Sequence, residues 1–265
     1  MNRVVRFTKM HGLGNDFMII HDHDLFHHRE TPFDIKALAD RHTGVGFDQA
    51  LIFIKHDALE FECRIFNSDG SEALQCGNGL RCVARFIHEN KLTDTKSFSI
   101  KTKAGLFPIL IDSYDQIRIE IGIPEVKVQL TQYKLTTGQP FPLSLISTGN
   151  QHAIVKVDTL NHKNTLRFAQ SIANRHVEGI NIGFMEVQNA HHIRLQTIER
   201  GVGETLACGS NACAAVAAGI SNGWLTTPVH VEFQKGMLCI EWPDQQAPMA
   251  LIGPASQVYN GEISV

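Results

Sequence analysis

The feature of this sequence that most restricts its fold is an internal duplication. The string Glu-x-Leu-x-Cys-Gly occurs at Glu72–Gly77 and again at Glu204–Gly209, so that Cys208 follows Cys76 by 132 residues. Two further strings recur in the same order at nearly the same spacing: Gly14-Asn15 as Gly149-Asn150, and Asp40-Arg41-His42 as Asn174-Arg175-His176. Matches in one order at one spacing predict two homologous halves that fold into the same series of elements.

Each half is predicted to be α+β, with strands surrounding a helix that begins at the repeated cysteine. Leu80, Val83, Ala84 and Ile87 recur at helical spacing in the first such helix. The second, Asn211–Ala218, is small and apolar on almost every side, and a helix without a polar face is a buried one. We therefore expect two pseudo-symmetric domains, each a curved β-sheet or barrel wrapped around a central helix.

Other elements follow from residue type and spacing. Segments rich in Val, Ile and Phe and bounded by Gly, Pro or Asp predict strands. The predicted strands include Ala50–Ile54, Phe61–Phe66, Ser97–Thr102, Leu106–Ile111, Val229–Phe233 and Met237–Glu241, and short amphipathic helices are predicted at Ile35–Arg41 and Leu166–Asn174.

The boundary between the halves is predicted near Ile117–Val126, where Gly122 and Pro124 interrupt the strand pattern. The first domain is expected to comprise residues 1–117, completed by the tail 254–265, and to carry Cys76. The second is expected to comprise residues 118–253 and to carry Cys208.

Composition excludes several classes of protein. A net charge of −3 gives no indication of a nucleic-acid or anionic-membrane surface. No apolar stretch reaches the roughly 18 residues of a membrane span, and the first residues lack the apolar core of a signal peptide. We therefore expect a soluble, cytoplasmic protein.

The six cysteines include no Cys-x-x-Cys spacing, which argues against a disulfide scaffold and the common zinc sites. Cys63, Cys82, Cys213 and Cys239 are interpreted as core residues. The histidine-rich segment 21–28 is interpreted as a solvated loop rather than a metal site, and neither a metal nor a cofactor is expected.

Cys76 and Cys208 are expected to be chemically active because each lies where unpaired backbone N–H groups and the positive helix end converge. A helix end contributes up to about 2 kcal/mol in a partly buried site, which lowers the pKa of a thiol by about one unit. The same N–H groups form a receptor for a carboxylate. Two such loops on one substrate would let one thiolate remove the proton α to the carboxylate while the opposite thiol returns one, inverting that carbon.

Three other interpretations remain open at this point. A Cys-Gly pair at a helix start is often only a small buried residue beside a turn. A cysteine hydrolase would use one thiol, but it requires a neighbouring base and leaves the second motif without a role. A non-catalytic carboxylate-binding or zinc protein would lack the usual ligand spacings.

Longer strings resemble one known family, the diaminopimelate epimerases. The strings are His11–Phe17, Phe66–Ser71, Gln75–Gly79, Glu199–Ser210 and the closing Val258–Gly261, so the resemblance extends over the whole chain. It implies a cofactor-independent isomerase that interconverts LL- and meso-diaminopimelate in lysine and peptidoglycan precursor biosynthesis. It also implies two α/β domains, with the active site in the cleft between them, and a homodimer.

The resemblance assigns roles to individual residues. Cys76 and Cys208 match the family's acid and base, and His152 with Glu199 matches a pair thought to tune the thiols. Tyr259 matches a dimer contact. The positions that match substrate contacts are Asn15, Gln49, Asn67, Gly77, Asn78, Asn150, Asn181, Glu199, Arg200, Gly209 and Ser210.

Side-chain chemistry agrees with these assignments, since the substrate carries a second, unreactive amino acid. Arg200 can hold its distant carboxylate with a fork of donors, and Glu199 can accept its ammonium. The alternative function is that of a proline or hydroxyproline racemase, whose substrate has no second amino acid for these residues to bind. The sequence departs from the family pattern at Gln151, where Pro is common, and at Asn211, where a small residue is usual.

Overall fold

The computed structural model describes residues 4–22, 25, 33–57, 60–133, 141–176 and 178–264. Two compact units divide the chain: residues 1–120 with 253–265 form the first, and residues 121–252 form the second.

Strands predominate in both units. The helices are α1 (Ile35–Ala39), α2 (Gly77–Glu89), α3 (His162–Ala173) and α4 (Gly209–Ser221). The strands are β1 (Val4–Gly12), β2 (Asn15–His21), β3 (Gln49–Lys55), β4 (Glu60–Asn67), β5 (Glu72–Ala73), β6 (Ser97–Thr102), β7 (Gly105–Ser113), β8 (Gln116–Glu120), β9 (Glu125–Tyr133), β10 (Phe141–Ser147), β11 (Gln151–Val157), β12 (Asn181–Asn189), β13 (His192–Glu199), β14 (Gly203–Thr205), β15 (Val229–Phe233), β16 (Gly236–Glu241), β17 (Ala250–Gly253) and β18 (Ser256–Ser264).

In the first unit the strands pair in the order β18, β1, β2, β3, β4, β6, β7, β8, with the short β5 also on β4. The pairs β2–β3 and β4–β6 are parallel and the others are antiparallel. The first parallel connection contains α1 and the second contains α2, as parallel strands require a crossover.

The second unit repeats this arrangement strand for strand. Its order is β9, β10, β11, β12, β13, β15, β16, β17, with β14 on β13 and with β11–β12 and β13–β15 parallel. The pairing Phe66↔Glu72 before α2 has its equivalent in Ile198↔Glu204 before α4. The expected α+β fold with an internal duplication is thus confirmed.

Both cysteine helices are buried among strands of their own unit. On α2 the four apolar positions predicted from the sequence are completely buried, and the helix packs against β1, β2, β3, β7 and β8. On α4 the run Ala212–Ala218 is buried on all sides, as a helix without a polar face requires. This helix packs against β9, β10, β11, β12, β13 and β16.

Two local expectations need correction. The helix predicted at Leu166–Asn174 begins earlier, at His162, because the side chain of Asn161 caps it by accepting from the N–H of Asn164. Cys239 is only half buried, whereas Cys63, Cys82 and Cys213 are buried. It alternates with the buried Leu238 and Ile240 and therefore points to the other face of β16.

Within the described residues, no helix combines the length and the apolar character that a membrane crossing demands.

Replacing a buried side chain of α2 should destabilise the first unit. We expect Leu80→Ala to lower the free energy of unfolding by about 2–5 kcal/mol, because Leu80 is completely buried and its removal leaves a cavity. Leu106→Ala, at a position 57 % exposed, is the matched control and should change it by less than about 0.5 kcal/mol. Urea unfolding followed by circular dichroism measures both, and equal losses would contradict the proposed importance of this helix.

Candidate active site

In the first unit, Cys76 is the N-cap of α2. Its backbone is extended (φ −151°, ψ 105°), its carbonyl accepts the first helical bond from Leu80, and its sulfur accepts from the N–H of Gly79 at 3.4 Å. A cysteine thus takes the place that Ser, Asp or Asn usually fills at a helix start. An N–H donor at this sulfur favours the thiolate over the thiol.

Asn15 and Asn78 lie beside this sulfur. The tight β1–β2 hairpin turns at Leu13 and Gly14, both with positive φ, so that Asn15 begins β2 opposite Gly12. The Nδ2 of Asn78 donates to the Oδ1 of Asn15 at 3.2 Å, and the Sγ of Cys76 is 4.0 Å from the same oxygen. The structure therefore brings three predicted site residues together.

Gln49 and Asn67 form a second predicted pair in this unit. They are opposite each other on β3 and β4, and the Nε2 of Gln49 donates to the Oδ1 of Asn67 at 2.9 Å. Gln49 directly follows Asp48, which accepts a hydrogen bond from the side chain of Asn15 at 2.8 Å. Asn67 is only partly buried, whereas the Oε1 of Gln49 is buried and, within the described residues, has no hydrogen-bond partner.

In the second unit, Cys208 is the N-cap of α4 in a similar extended conformation, but its surroundings differ from those of Cys76. It is only 6 % exposed, its side chain makes no capping hydrogen bond, and its sulfur is 3.4 Å from the Oγ of Ser210. Gly209 is the first residue of the helix and is buried beside it.

The expectation of a lowered thiol pKa is wrong for Cys208. Burial, and then the neighbouring carboxylate of Glu199, raise the pKa of Cys208 well above the usual value for a thiol. The hydroxyl of Ser210 and the N–H of Asn211 oppose this rise only in part. Glu199 is held at the end of β13, where it accepts from the hydroxyl of Thr205 at 2.5 Å. Cys208 therefore rests as a thiol.

Asn181 and Arg200 are linked across the ends of β12 and β13. The Oδ1 of the buried Asn181 accepts from the backbone N–H of Arg200 at 3.0 Å. The exposed guanidinium of Arg200 donates to the carbonyl of Glu178 at 3.0 Å, and its side chain crosses Gly179 so closely that a Cβ there would lie 2.1 Å from the Cδ of Arg200. Gly179, with φ +79°, provides the space that this arginine needs.

His152 is completely buried and contacts the carboxamides of two asparagines. Its Nε2 is 2.9 Å from the Oδ1 of Asn150. Its Nδ1 and the Oδ1 of Asn211 are both buried, and within the described residues neither has a hydrogen-bond partner at normal distance. Burial lowers the pKa of His152 to about 4, and the carboxamide of Asn211 opposes this only weakly. His152 is thus neutral at physiological pH.

Asn211, the departure noted from the sequence, is fixed by its other amide atom. Its Nδ2 donates to the carbonyl of Ile182 at 3.1 Å, and its Oδ1 would be 2.6 Å from a Cβ at Gly183. A glycine at position 183 is therefore what admits the larger side chain.

Tyr259 lies on β18, is 44 % exposed, and packs edge-on against Phe7 with ring centroids 6.0 Å apart. Within the described residues, no group of three or more His, Cys, Asp or Glu is arranged to hold a metal ion. Of the histidine-rich segment, His23, Asp24, His27 and His28 lie outside the described residues.

Sequence reasoning missed three residues that hold the predicted ones. Asp48 binds the side chain of Asn15, Arg81 donates to the Oδ1 of Asn78 at 2.8 Å, and Thr205 donates to Glu199. Arg81 follows Asn78 by three residues, and this spacing places the two on one face of α2, a signal that the sequence does contain. The contact between Asp48 and Asn15 joins separate strands and has no such local signal.

Comparison with known proteins identifies relatives along the whole chain. Residues 7–127 and 144–258 match a family model described as diaminopimelate epimerase. The diaminopimelate epimerase of Ectopseudomonas mendocina (strain ymp) is 42 % identical over 276 residues, which cover 98 % of this chain and 99 % of that protein. The two matched segments correspond to the two halves of the duplication.

Solved structures share the fold at low sequence identity. A hydroxyproline epimerase from Agrobacterium vitis, with bound trans-4-hydroxy-L-proline, has a TM-score of 0.77 at 12 % identity and covers 99 % of this chain and 91 % of that one. A PhzF-family phenazine biosynthesis protein from Bacillus anthracis has a TM-score of 0.75 at 17 % identity and covers 99 % and 100 %. At these identities the likeness concerns the fold alone.

The buried neutral His152 should make the protein sensitive to acid. Its pKa is about 4 in the folded protein and near 6.5 when unfolded, so its contribution is complete above pH 6.5 and is lost as the pH falls toward 4. We expect this to lower the free energy of unfolding by about 3 kcal/mol. Urea unfolding at several pH values should show the loss in the parent protein and in His230→Gln, an exposed histidine control, but not in His152→Phe. The same acid sensitivity in His152→Phe would contradict this assignment.

Proposed function

The chain belongs to the diaminopimelate epimerase family, and we propose that it interconverts LL- and meso-diaminopimelate by moving the proton on one α-carbon. It is an isomerase by this membership. The observation that carries the mechanism is that both units place a cysteine at the N-cap of a buried helix. Identical placement of two thiols suits a reaction that takes a proton on one face and returns it on the other.

The helix starts provide the binding site for the reacting carboxylate. The first N–H groups of a helix have no partner within the helix, and the helix dipole favours a negative charge there. In this proposal the backbones of Gly77 and Asn78 in one unit and of Gly209 and Ser210 in the other bind the carboxylate. Removal of the α-proton moves negative charge onto that group, where fixed donors stabilise it most. The chemistry therefore proceeds without a cofactor.

The two sulfurs divide the proton transfer. Cys208 rests as a thiol because burial and the carboxylate of Glu199 disfavour its charge, which makes it the proton donor of the resting enzyme. Cys76, which accepts the N–H of Gly79, serves as the base. After one turnover the roles are exchanged, and proton exchange with solvent restores the resting state. We assign His152 to the tuning of the thiols. It is neutral and buried near the start of β11, so it does so without adding a charge.

The distant end of the substrate is recognised by side chains that match the family's contacts. Arg200 is exposed and offers donors to a carboxylate, while Glu199 accepts from an ammonium. Carboxamides bind either charge without adding one. The carboxamides proposed for this role are Asn67, Asn150 and Asn181, and Asn15 and Gln49 are proposed as further substrate contacts.

The cellular setting follows from the proposed reaction. Diaminopimelate is a precursor of lysine and of peptidoglycan, so we place the protein in that biosynthesis, in the cytoplasm. We further propose a homodimer, because Tyr259, Val258 and Val4 expose aromatic and aliphatic surface on the paired strands β1 and β18.

A racemase of proline or hydroxyproline is the second candidate, since the fold is shared with such enzymes. Arg200 and Glu199 count against it, because a cyclic amino acid has no distant charged groups for them to bind. Offering each substrate to the protein separates the two candidates.

Replacing either proposed catalytic cysteine should stop epimerisation. In heavy water without added cofactor, we expect NMR to show deuterium entering one stereocentre of diaminopimelate while the other stays protonated. Cys76→Ala and Cys208→Ala should each slow epimerisation by at least about 100-fold, since inversion needs both acid–base groups. Cys239→Ser is the matched control and should exchange normally, because that side chain lies on the other face of β16. Exchange of proline, with none of diaminopimelate, would favour the second candidate.

Oxidation tests whether both thiols reach the same carbon. Two sulfurs that flank one α-carbon can be brought together, so we expect a mild oxidant to inactivate the protein by joining Cys76 to Cys208. Dithiothreitol should restore activity, and peptide mapping should identify the linked pair. An oxidised protein that keeps full activity, or that links other cysteines, would count against the proposed closeness.

A further inference from the structure

A continuous chain of hydrogen bonds runs beside Cys76 from a buried cation to a carboxylate. The Nη2 of Arg81 donates to the Oδ1 of Asn78 at 2.8 Å, and the Nδ2 of Asn78 donates to the Oδ1 of Asn15 at 3.2 Å. The Nδ2 of Asn15 then donates to the Oδ2 of Asp48 at 2.8 Å. Each asparagine therefore accepts on one side and donates on the other, and all donors point in the same direction.

Both ends of this chain of hydrogen bonds are fixed by further contacts. Arg81 is completely buried on α2, and its Nε donates to the carbonyl of Pro254 at 3.2 Å. Asp48 receives the guanidinium of Arg41 at 2.6 Å and the backbone N–H of Asp16 at 3.1 Å.

Asp16 anchors the carboxylate end in turn. It accepts two hydrogen bonds from Arg41, at 2.8 and 2.9 Å, and one from the buried Lys9 at 2.6 Å. Although burial raises its pKa, the bonds from Arg41 and Lys9 bring the pKa of Asp16 down to about 2. Asp16 therefore remains ionised over the working pH range and keeps Arg41 in place against Asp48.

These ends determine the orientation of both carboxamides. An arginine can only donate and an ionised carboxylate can only accept, so a reversed amide at Asn78 or Asn15 would set donor against donor and acceptor against acceptor. The oxygen of Asn15 must therefore face the start of α2, where it lies 4.0 Å from the sulfur of Cys76. Its NH₂ group is committed to Asp48.

We propose that Asp48 and Arg81 are positioning residues that hold the carboxamide of Asn15 with its oxygen, rather than its NH₂ group, toward the sulfur of Cys76. An oxygen at that place accepts from the S–H of the thiol and from a substrate ammonium, and it repels a carboxylate. The consequence for substrate orientation rests on the proposed function, whereas the effect on the thiol does not.

A purely electrostatic account predicts different mutant effects. Through space, loss of the negative Asp48 would favour the thiolate of Cys76, and loss of the positive Arg81 would disfavour it. If orientation is what matters, either loss removes one of the two contacts that hold the Asn15 amide, so the state with its NH₂ group toward the sulfur becomes more populated and both losses favour the thiolate. Asp48→Glu keeps the charge but displaces the carboxylate by one methylene, so the orientation effect again predicts a change and the electrostatic account predicts none.

The test is alkylation of Cys76 by iodoacetamide as a function of pH, quantified by mass spectrometry on the peptide that contains it. Only the thiolate reacts, and burial raises the pKa of Cys82 to about 12, so that neighbour reacts slowly. We expect the pH of half-maximal rate to fall by at least about 0.5 unit in Asp48→Asn, Asp48→Glu and Arg81→Gln. Asp57→Asn, which removes one exposed carboxylate from the same unit, is the control and should leave it unchanged.

Steady-state kinetics of the folded variants provide the second readout. We expect kcat/KM for diaminopimelate to fall about tenfold in Asp48→Glu, as suits loss of one oriented hydrogen bond. A rise of the midpoint in Arg81→Gln, or an unchanged midpoint in Asp48→Glu, overturns the proposal. If Arg81→Gln does not fold, as circular dichroism will show, Asp48→Glu alone decides. Failure of the parent protein to exchange the α-proton would overturn the proposed function. The alkylation data would still test the positioning role, because they do not depend on that function.

Discussion

The structure depends on a cysteine that caps a buried helix. A buried helix must satisfy its first N–H groups. At the start of α2 the sulfur of Cys76 accepts from one of them, and in the proposed reaction a substrate carboxylate accepts from others at both helix starts. Strands pack against both helices and bury Asn78–Ala84 of α2 and Asn211–Gly219 of α4, while the first N–H groups of each helix have no partner within the helix. The unpaired N–H groups at the helix starts thus constrain both the fold and the proposed chemistry.

The two copies of this helix start have diverged electrostatically. Cys76 is half buried and lies between the N–H of Gly79 and the oxygen of Asn15. Burial, and then the neighbouring carboxylate of Glu199, raise the pKa of Cys208 and hold it as a thiol. A reaction that starts with one base and one acid needs this inequality, because two identical thiols would favour the same protonation state. The duplication provides the symmetry, and the residues around each sulfur break it.

Polar groups around each cysteine are held by contacts that reach well beyond the loop. The Arg81-to-Asp48 chain orients amides in the first unit, and the carboxamide of Asn211 sits against Gly183 and near His152 in the second. Asn211 shows how a departure from the family pattern can be accommodated. The larger side chain occupies the space above a glycine and gains a hydrogen bond to Ile182, so the helix start keeps its geometry.

The sequence by itself determined the duplication, the α+β class, the two buried helices and the family, since these depend on repeats and local periodicity. It also indicated why each cysteine should meet backbone N–H groups, because capping is local in the chain. Only the tertiary structure decided the protonation of Cys208, the neutrality of His152 and the direction of the Asn15 amide. These depend on desolvation and on partners such as Glu199 and Asp48, which come from other strands or turns. The combined effect of burial and charge at one atom cannot be read from residue spacing.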